Sequence, residues 1–176
     1  MKTYLVTGGA GFIGSNFVLH MLAQYDTVRI VNVDKLTYAG NLENLASVFN
    51  DSRHLFRQVD ICDKVAIMAL FEEFEIDYVV NFAAESHVDR SIETPEVFAD
   101  TNVMGTVVLL NAAKNAWQHA DGGFGSHRYL QVSTDEVYGS LGETGYFTET
   151  SSLDPHSPYS ASKAAADMFV KAYGDT

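Results

Sequence analysis

"TGGAGFIG", residues 7–14, decides the fold. It follows "TYLVT" (3–7), a run of β-branched and aromatic residues, and opens a stretch of helical period over about 12–25. Two glycine spacings fit the same turn: Gly8, Gly11 and Gly14, or Gly9, Gly11 and Gly14. Glycine at a strand-to-helix turn allows the tight bend, brings the backbone close to a pyrophosphate and lets helix touch strand, while the helix N-terminus offers free N–H groups to an anion. Taken alone, the spacing fits a plain turn equally well. The residues downstream weigh against that bland reading.

Next outward, "VRIVNV" (28–33) runs into Asp34, 20 residues after Gly14. A carboxylate at that strand end accepts hydrogen bonds from both hydroxyls of an adenosine ribose and repels a 2′-phosphate, so NAD is expected rather than NADP. The competing reading is a turn or cap carboxylate, and Lys35 directly after it softens the preference. Three further runs, "HLFRQV" (54–59), "YVVNF" (78–82) and "RYLQVS" (128–133), alternate with helical stretches at about 42–49, 64–74, 95–118 and 159–173. Several strands are apolar on both faces, as in a parallel sheet covered on each side, so an α/β doubly wound fold of βαβ units is expected. Asp63 and Thr94 with Pro95 read as helix starts, Ser157 or Ser160 as the cap of the last helix, and Gly174 as its end. Polar stretches at 119–127 and 139–157 read as loops, the second long enough to suggest function. Asp60 and Ile61, and Ala83 and Ala84, fall at strand carboxyl ends, where adenine and the pyrophosphate or nicotinamide ribose would pass. The chain stops soon after its last helix with no strand to receive it, so it reads as the front part of a larger protein, truncated before the last strands of its sheet.

Composition excludes other classes. With 176 residues, 47% of them hydrophobic, one domain is expected. A net charge of −12 argues against non-specific nucleic-acid binding, which needs clustered Lys and Arg. No apolar run approaches the roughly 18 residues of a membrane span, and no export leader is expected from the N-terminal residues. A lone Cys62 excludes an intrachain disulfide, and the six histidines never take a metal-ligand spacing, so no metal is assigned. A cytoplasmic protein is expected.

Two constellations carry chemistry. In "SPYSASKAAADMFV" (157–170), Tyr159 and Lys163 stand at i and i+4 on one helical face, where the positive charge favours phenolate. A phenolate beside a nicotinamide takes a hydroxyl proton while hydride leaves the same carbon. By itself, Tyr-x-x-x-Lys is also an ordinary exposed pair. "YLQVSTDEVYG" (129–139) then sets Thr134, Asp135 and Glu136 side by side at a strand end. Two adjacent carboxylates can have their pKa values pushed apart, one acid and one base; the competing reading is a solvated turn.

Together with "DKLTYAGN" (34–41), "VDICD" (59–63) and "AAESHVDRSI" (83–92), these motifs run the length of the chain in order. The chain resembles the extended short-chain dehydrogenase/reductases, and among them the nucleotide-sugar 4,6-dehydratases. Relatives that only epimerise typically carry a small or hydroxyl residue where Asp135 stands; GDP-mannose dehydratases and UDP-glucuronate decarboxylases typically read Thr-Ser-Glu. The resemblance implies a Rossmann-like fold and NAD held by Gly8, Gly11, Phe12, Ile13 and Gly14, by Asp34, Lys35, Leu36 and Thr37, and by Asp60, Ile61, Ala83, Ala84, Ser86, Thr101, Tyr159 and Lys163. It implies that Tyr159 takes the proton of the sugar's 4-hydroxyl, with Lys163 holding the nicotinamide ribose and lowering the phenol's pKa. Glu136 would remove the proton on carbon 5, a protonated Asp135 would help the 6-hydroxyl leave, and Thr134 and Ser86 would touch substrate. His87, Asp89 and Arg90 fit a solvated cap or ion pair as well as a site. Such proteins also carry further strands and a small C-terminal domain that grips the nucleotide; without these the substrate base stays open, with dTDP-glucose favoured by overall likeness. A homodimer formed through the helices at 95–118 and 159–173 is implied, as is weak or absent turnover by these residues alone. An epimerase, a decarboxylase and a catalytically silent NAD-binding module are the alternatives.

Overall fold

The computed structural model describes residues 1–119 and 122–176. Strands β1 (Lys2–Thr7), β2 (Val28–Asp34), β3 (His54–Gln58), β4 (Tyr78–Asn81) and β5 (Arg128–Gln131) form one parallel sheet in the order β3-β2-β1-β4-β5. The chain steps outward from β1 to β3 and then crosses back to β4, so the order reverses between β1 and β4. At that switch point a crevice opens at the strands' carboxyl ends. The register places Thr7 opposite both Val33 and Asn81, which brings the glycine turn level with the ends of β2 and β4.

Helices α1 (Phe12–Gln24), α2 (Lys64–Glu73), α3 (Val88–Glu93), α4 (Pro95–Phe98), α5 (Gly105–Trp117) and α6 (Pro158–Asp175) connect and cover the strands. On one face Val6, Val28 and Ile30 pack with Val18, Met21 and Leu22 of α1. On the other, Leu5, Val31, Val33 and Val79 pack with Ile67 and Leu70 of α2 and Leu109, Ala112 and Trp117 of α5. Burial on both faces is why the strands read as continuous apolar runs; each buried Leu, Ile or Val contributes about 1.5–3 kcal/mol relative to exposure.

Local chemistry sets the boundaries, in several places differently from expectation. Asp63 caps α2, accepting from Val65 N and Ala66 N at 3.0 Å. Ser157 caps α6 in a reciprocal box with Ser160, and Pro158 takes the first turn. The stretch at 42–49 is a 3-10 element, Leu42–Val48, not an α-helix; Asn41 starts it by accepting from Glu43 N at 3.0 Å. The single helix expected over 95–118 is broken by a π-helical segment, Ala99–Met104, between α4 and α5. Such a distortion persists where specific bonds reward it: here Asn102, 1% exposed, turns inward to make three hydrogen bonds with two residues outside the segment, Glu85 and Ser162. Helix α3 lies in what the sequence presented as a charged loop. Thr94 makes no cap for α4; its hydroxyl donates to Arg90 O at 3.1 Å and closes α3 instead. Gly174 does not end α6, which continues through it to Asp175. Residues 139–157 form no helix or strand, and the loop expected at 119–127 falls partly outside the described residues.

Candidate active site

Three of the four glycines in the turn are required by the protein itself. Gly8 has φ +67°, and a Cβ there would lie 2.6 Å from Ala83 N. A Cβ on Gly9 would run into the Asn32 side-chain oxygen, and one on Gly14 into the Gly8 carbonyl. Both candidate first glycines are thus needed, Gly8 against the end of β4 and Gly9 against β2. Gly11 is different: the nearest atom to its Cβ position is Gly8 O at 3.3 Å, and the residue lines a cleft. That contact is tight though not prohibitive, and Gly11 leaves this part of the cleft wall without a side chain. Gly11 is also the N-cap of α1 and brings no side-chain acceptor, so no cap competes for the first-turn N–H groups.

Asp34 ends β2 almost fully buried, one oxygen accepting from Ala10 N at 3.0 Å and the other from Leu36 N at 2.8 Å. The second bond closes a turn in which Leu36 takes φ +58°; the Leu36 side chain packs against the apolar cluster that holds Val18, Met21 and Leu22 and does not line the cleft. Lys35 pairs with Asp60 at 2.5 Å. Its charge is therefore engaged with the carboxylate that follows β3. Burial resists ionisation of Asp60, but Lys35 and the Cys62 N–H outweigh it and hold the carboxyl below its ordinary range.

The cleft, about 360 Å³, runs from this end to α6. Gly8, Gly11, Phe12, Ile13 and Gly14 line it with Asp34, Lys35 and Thr37; Asp60, Ile61, Ala83 and Ala84 form its floor; Ser86, Thr101, Tyr159 and Lys163 lie toward the far end. The structure thus brings together the cofactor residues expected from sequence, Leu36 excepted. Phe12 and Ile13, 82% and 62% exposed, are apolar side chains left at its mouth. Glu85, Val97, Val132 and Ser133 also line it and were not singled out from sequence. Glu85 and Ser133 sit inside the motifs that carry the resemblance, but Val97 and Val132 carry no signal that separates them from core residues.

At the far end, Thr134 caps a 3-10 turn, Asp135–Tyr138, accepting from Glu136 N at 3.3 Å. Asp135 and Glu136 are exposed and lie outside the cleft lining, yet both carboxylates bear on the Tyr159 phenol. Burial raises that phenol above its ordinary pKa; a hydrogen bond with Thr134 opposes the rise, and Glu136 and Asp135 add to it. Lys163 shares the cleft with Tyr159, but its ammonium donates to Val132 O at 2.6 Å. Burial pulls the Lys163 pKa down, against the nearby Asp167 carboxylate. Lys163 is not among the groups that shift the phenol: its ammonium is turned to the Val132 carbonyl, and burial sets the phenol above its usual value.

Buried polar contacts lock this end in place. Asn102 accepts from Glu85 N at 2.8 Å and donates to Glu85 O at 2.9 Å and Ser162 Oγ at 2.8 Å, and Ser162 donates to Tyr159 O at 2.7 Å. The Ser133 hydroxyl donates to Asp167, tying the end of β5 to α6. Arg90 lies over the Tyr38 ring, 4.5 Å from its centre. Among the described residues no three side chains are grouped to hold a metal ion.

A family model described as GDP-mannose 4,6 dehydratase matches residues 5–176. The chain is 55% identical to a dTDP-glucose 4,6-dehydratase of Xanthomonas campestris pv. campestris (strain B100), covering 100% of this chain and 50% of that protein. It is 50% identical to dTDP-glucose 4,6-dehydratase 1 of Escherichia coli K12, over 98% of this chain and 50% of that one. The crystal structure of DesIV, a dTDP-glucose 4,6-dehydratase from Streptomyces venezuelae with NAD bound, matches at TM-score 0.88 and 48% identity, covering 99% of this chain and 52% of the other. The chain spans about half the length of the relatives it matches. A parallel sheet with its cleft at the switch point, and a family match over almost every residue, lead to one conclusion: the chain belongs to the GDP-mannose 4,6 dehydratase family.

Proposed function

We propose that these residues are the NAD-binding part of a nucleotide-sugar 4,6-dehydratase acting on dTDP-glucose, the remainder of a longer protein supplying the nucleotide-gripping domain. One observation carries the reading: the Tyr159 phenol stands in the same cleft as the glycine turn and Asp34, with the carboxylates of Asp135 and Glu136 bearing on it. Two features fit a dinucleotide. The cleft wall left without a side chain at Gly11 lies beside the open first turn of α1, and Asp34 offers acceptor oxygens at a strand end. The half-length match to relatives and the alternately exposed edge strand β5 support a longer protein.

When bound, NAD would accept hydride from carbon 4 of the sugar and return it to carbon 6. Tyr159, whose phenol burial and the two carboxylates hold above its ordinary pKa, must first lose its proton; as phenolate it receives the 4-hydroxyl proton, with Thr134 placed to hydrogen-bond the oxygen that becomes the ketone. Glu136 takes the proton from carbon 5, acidified by that ketone, and Asp135 gives a proton to the departing 6-hydroxyl, which leaves as water. Glu136 then returns its proton to carbon 5. The proton gained by Tyr159 balances the one lost by Asp135, and net redox is zero. Lys163 holds the nicotinamide ribose, and Ser86 and Thr101 contact the ligands at the same end. Pairing into a homodimer through α5 and α6 belongs to the same reading; exposed Met168 and Phe169 on α6 support it, and sedimentation tests it. A cytoplasmic location rests on the lone Cys62 alone.

The test has two arms. Titrated with NAD and NADP, the 176-residue chain binds NAD in preference. Given dTDP-glucose, the longer protein forms a product absorbing in alkali as a 4-keto sugar, while these residues alone form little. A 4-epimer or a decarboxylated sugar as product would sink the dehydratase, and full activity from the isolated chain would sink the division of labour.

A further inference from the structure

The glycine turn rests on a buried polar pair that the dehydration chemistry does not use. Asn32, on β2 and fully buried, donates its amide Nδ2 to the Gly9 carbonyl at 3.3 Å and to Nε2 of His54 at 3.1 Å. The other end of the amide, Oδ1, lies where a Gly9 side chain would be and has no hydrogen-bond donor. This orientation is the one that satisfies the Gly9 carbonyl, since turning the amide over would set its oxygen against that carbonyl oxygen. His54 Nε2 must therefore accept, so the ring proton sits on the other nitrogen, and the Val48 carbonyl receives a hydrogen bond from the ring.

The surroundings of His54 favour that neutral ring. It is 5% exposed at the start of β3, and burial holds its pKa below the ordinary value, opposed by the Val48 carbonyl and by Asp51. Asp51 is itself bound by Arg53 at 2.7 Å. From α1 and the 3-10 element this face of the sheet receives Val18, Met21, Leu22 and Leu45, none of them charged.

We propose that His54 is a positioning residue for the dinucleotide site: acting through Asn32, its neutral ring holds the Gly9 carbonyl and with it the turn that receives the pyrophosphate. The inference rests on the NAD-binding reading. A proton added at Nε2 would point an N–H at the Asn32 NH2 group, two donors face to face. Relief requires the amide to turn over or the ring to move, and either takes the donor away from Gly9.

The experiment uses the 176-residue chain, with NAD and ADP as probes, in calorimetric titrations at about pH 7.5 and at a pH below the His54 titration, which its ring resonances locate. The H54Q variant keeps an acceptor that does not titrate; H54F has none. Wild type is expected to lose roughly tenfold in affinity at the lower pH, the worth of one hydrogen bond, H54Q to lose little, and H54F to bind roughly tenfold weaker at both. Equal pH dependence in wild type and H54Q would overturn the proposal. A ligand-free readout separates it from the cofactor reading. In 15N spectra of the wild type, the Gly9 amide and the Asn32 side-chain NH2 shift along the His54 titration, and in H54Q they do not. Resonances that ignore that titration overturn the role of His54 whatever binds. A wild type that binds neither probe at the higher pH overturns the cofactor reading instead, and leaves the amide titration to judge His54.

Discussion

Substituting Asp34 with asparagine changes almost no volume, yet it strikes two functions of the same side chain. The carboxylate accepts from Ala10 N at 3.0 Å and Leu36 N at 2.8 Å and is 9% exposed. In D34N the amide oxygen can keep one donor, favouring the shorter bond to Leu36, and the NH2 group then faces the Ala10 N–H. A hydrogen bond to a charged acceptor is worth about 1.5–3 kcal/mol, and an unsatisfied buried donor costs about 1–3 kcal/mol, so D34N should destabilise by about 2–4 kcal/mol. Relief of self-repulsion in an acidic chain works the other way but is spread over the surface and smaller. If Asp34 binds the ribose as proposed, the same substitution removes the charged acceptor for its hydroxyls and the repulsion against a 2′-phosphate, so NAD affinity falls roughly tenfold or more while the preference for NAD over NADP narrows. Urea unfolding followed by circular dichroism gives the first quantity, and parallel NAD and NADP titrations give the second. Lost stability with an unchanged NAD to NADP ratio would reduce Asp34 to a turn-forming carboxylate. An unfolding free energy within about 0.5 kcal/mol of wild type would refute the hydrogen-bond argument as well.

G14A should cost about 1–3 kcal/mol or more, since its Cβ meets the Gly8 carbonyl, while G142A, with nothing within 4 Å of its Cβ, should stay within about 0.5 kcal/mol; paired melting curves check both. N102A leaves the Glu85 N–H and C=O without their partner, so a loss of about 2–4 kcal/mol is expected, with the Tyr159 ring resonances displaced in NMR spectra. Burial, and next the Asp60 charge, push the Cys62 thiol up to about 11, so at about pH 8 iodoacetamide should label it roughly a hundredfold more slowly in the folded chain than in urea. Lys163 has a folded-state pKa below 10.5, so between the two values the unfolded chain binds more protons and stability rises with pH; the difference in urea midpoints between wild type and K163M should show that rise and level off above 10.5.

The sheet was legible in the sequence because each of its five strands is a compact run of apolar, β-branched or aromatic residues bounded by polar turns, a signal contained within a few residues. The 3-10 element at Leu42–Val48 was less legible, since both helix types leave a similar pattern over seven residues. Helix α3 and the π-helical segment left no pattern at all. Val88–Glu93 is mostly polar, and the distortion at Ala99–Met104 is bound up with Asn102 meeting Glu85 and Ser162, partners 17 and 60 residues away. The cleft residues were found where motif and strand end coincide. The direction of Lys163 was not, because helical spacing fixes which face a side chain leaves from and not which acceptor it finds. Here the acceptor is Val132 O, 31 residues earlier on a different element.

The engagement of Lys163 bears on how an acidic protein would hold a dinucleotide. The cleft is lined by three carboxylates, Asp34, Asp60 and Glu85, and two lysines, and both lysines are engaged within the protein, Lys35 by Asp60 and Lys163 by the Val132 carbonyl. With a net charge of −12 behind it, a pyrophosphate gains no help from the long-range field of the molecule. Attraction at the phosphates must then come from backbone dipoles at short range, in the turn of Gly8 to Gly14 and the first turn of α1, where the N-cap supplies no competing side chain. This makes the exact path of that turn the controlling variable for affinity. It also explains why two of its glycines are pinned by a neighbouring strand, Gly8 by β4 and Gly9 by the Asn32 amide of β2. A site that recruits an anion through side-chain cations tolerates a loose turn, whereas one that relies on N–H direction does not, and every contact that fixes the Gly9 carbonyl becomes part of the binding site without touching the ligand.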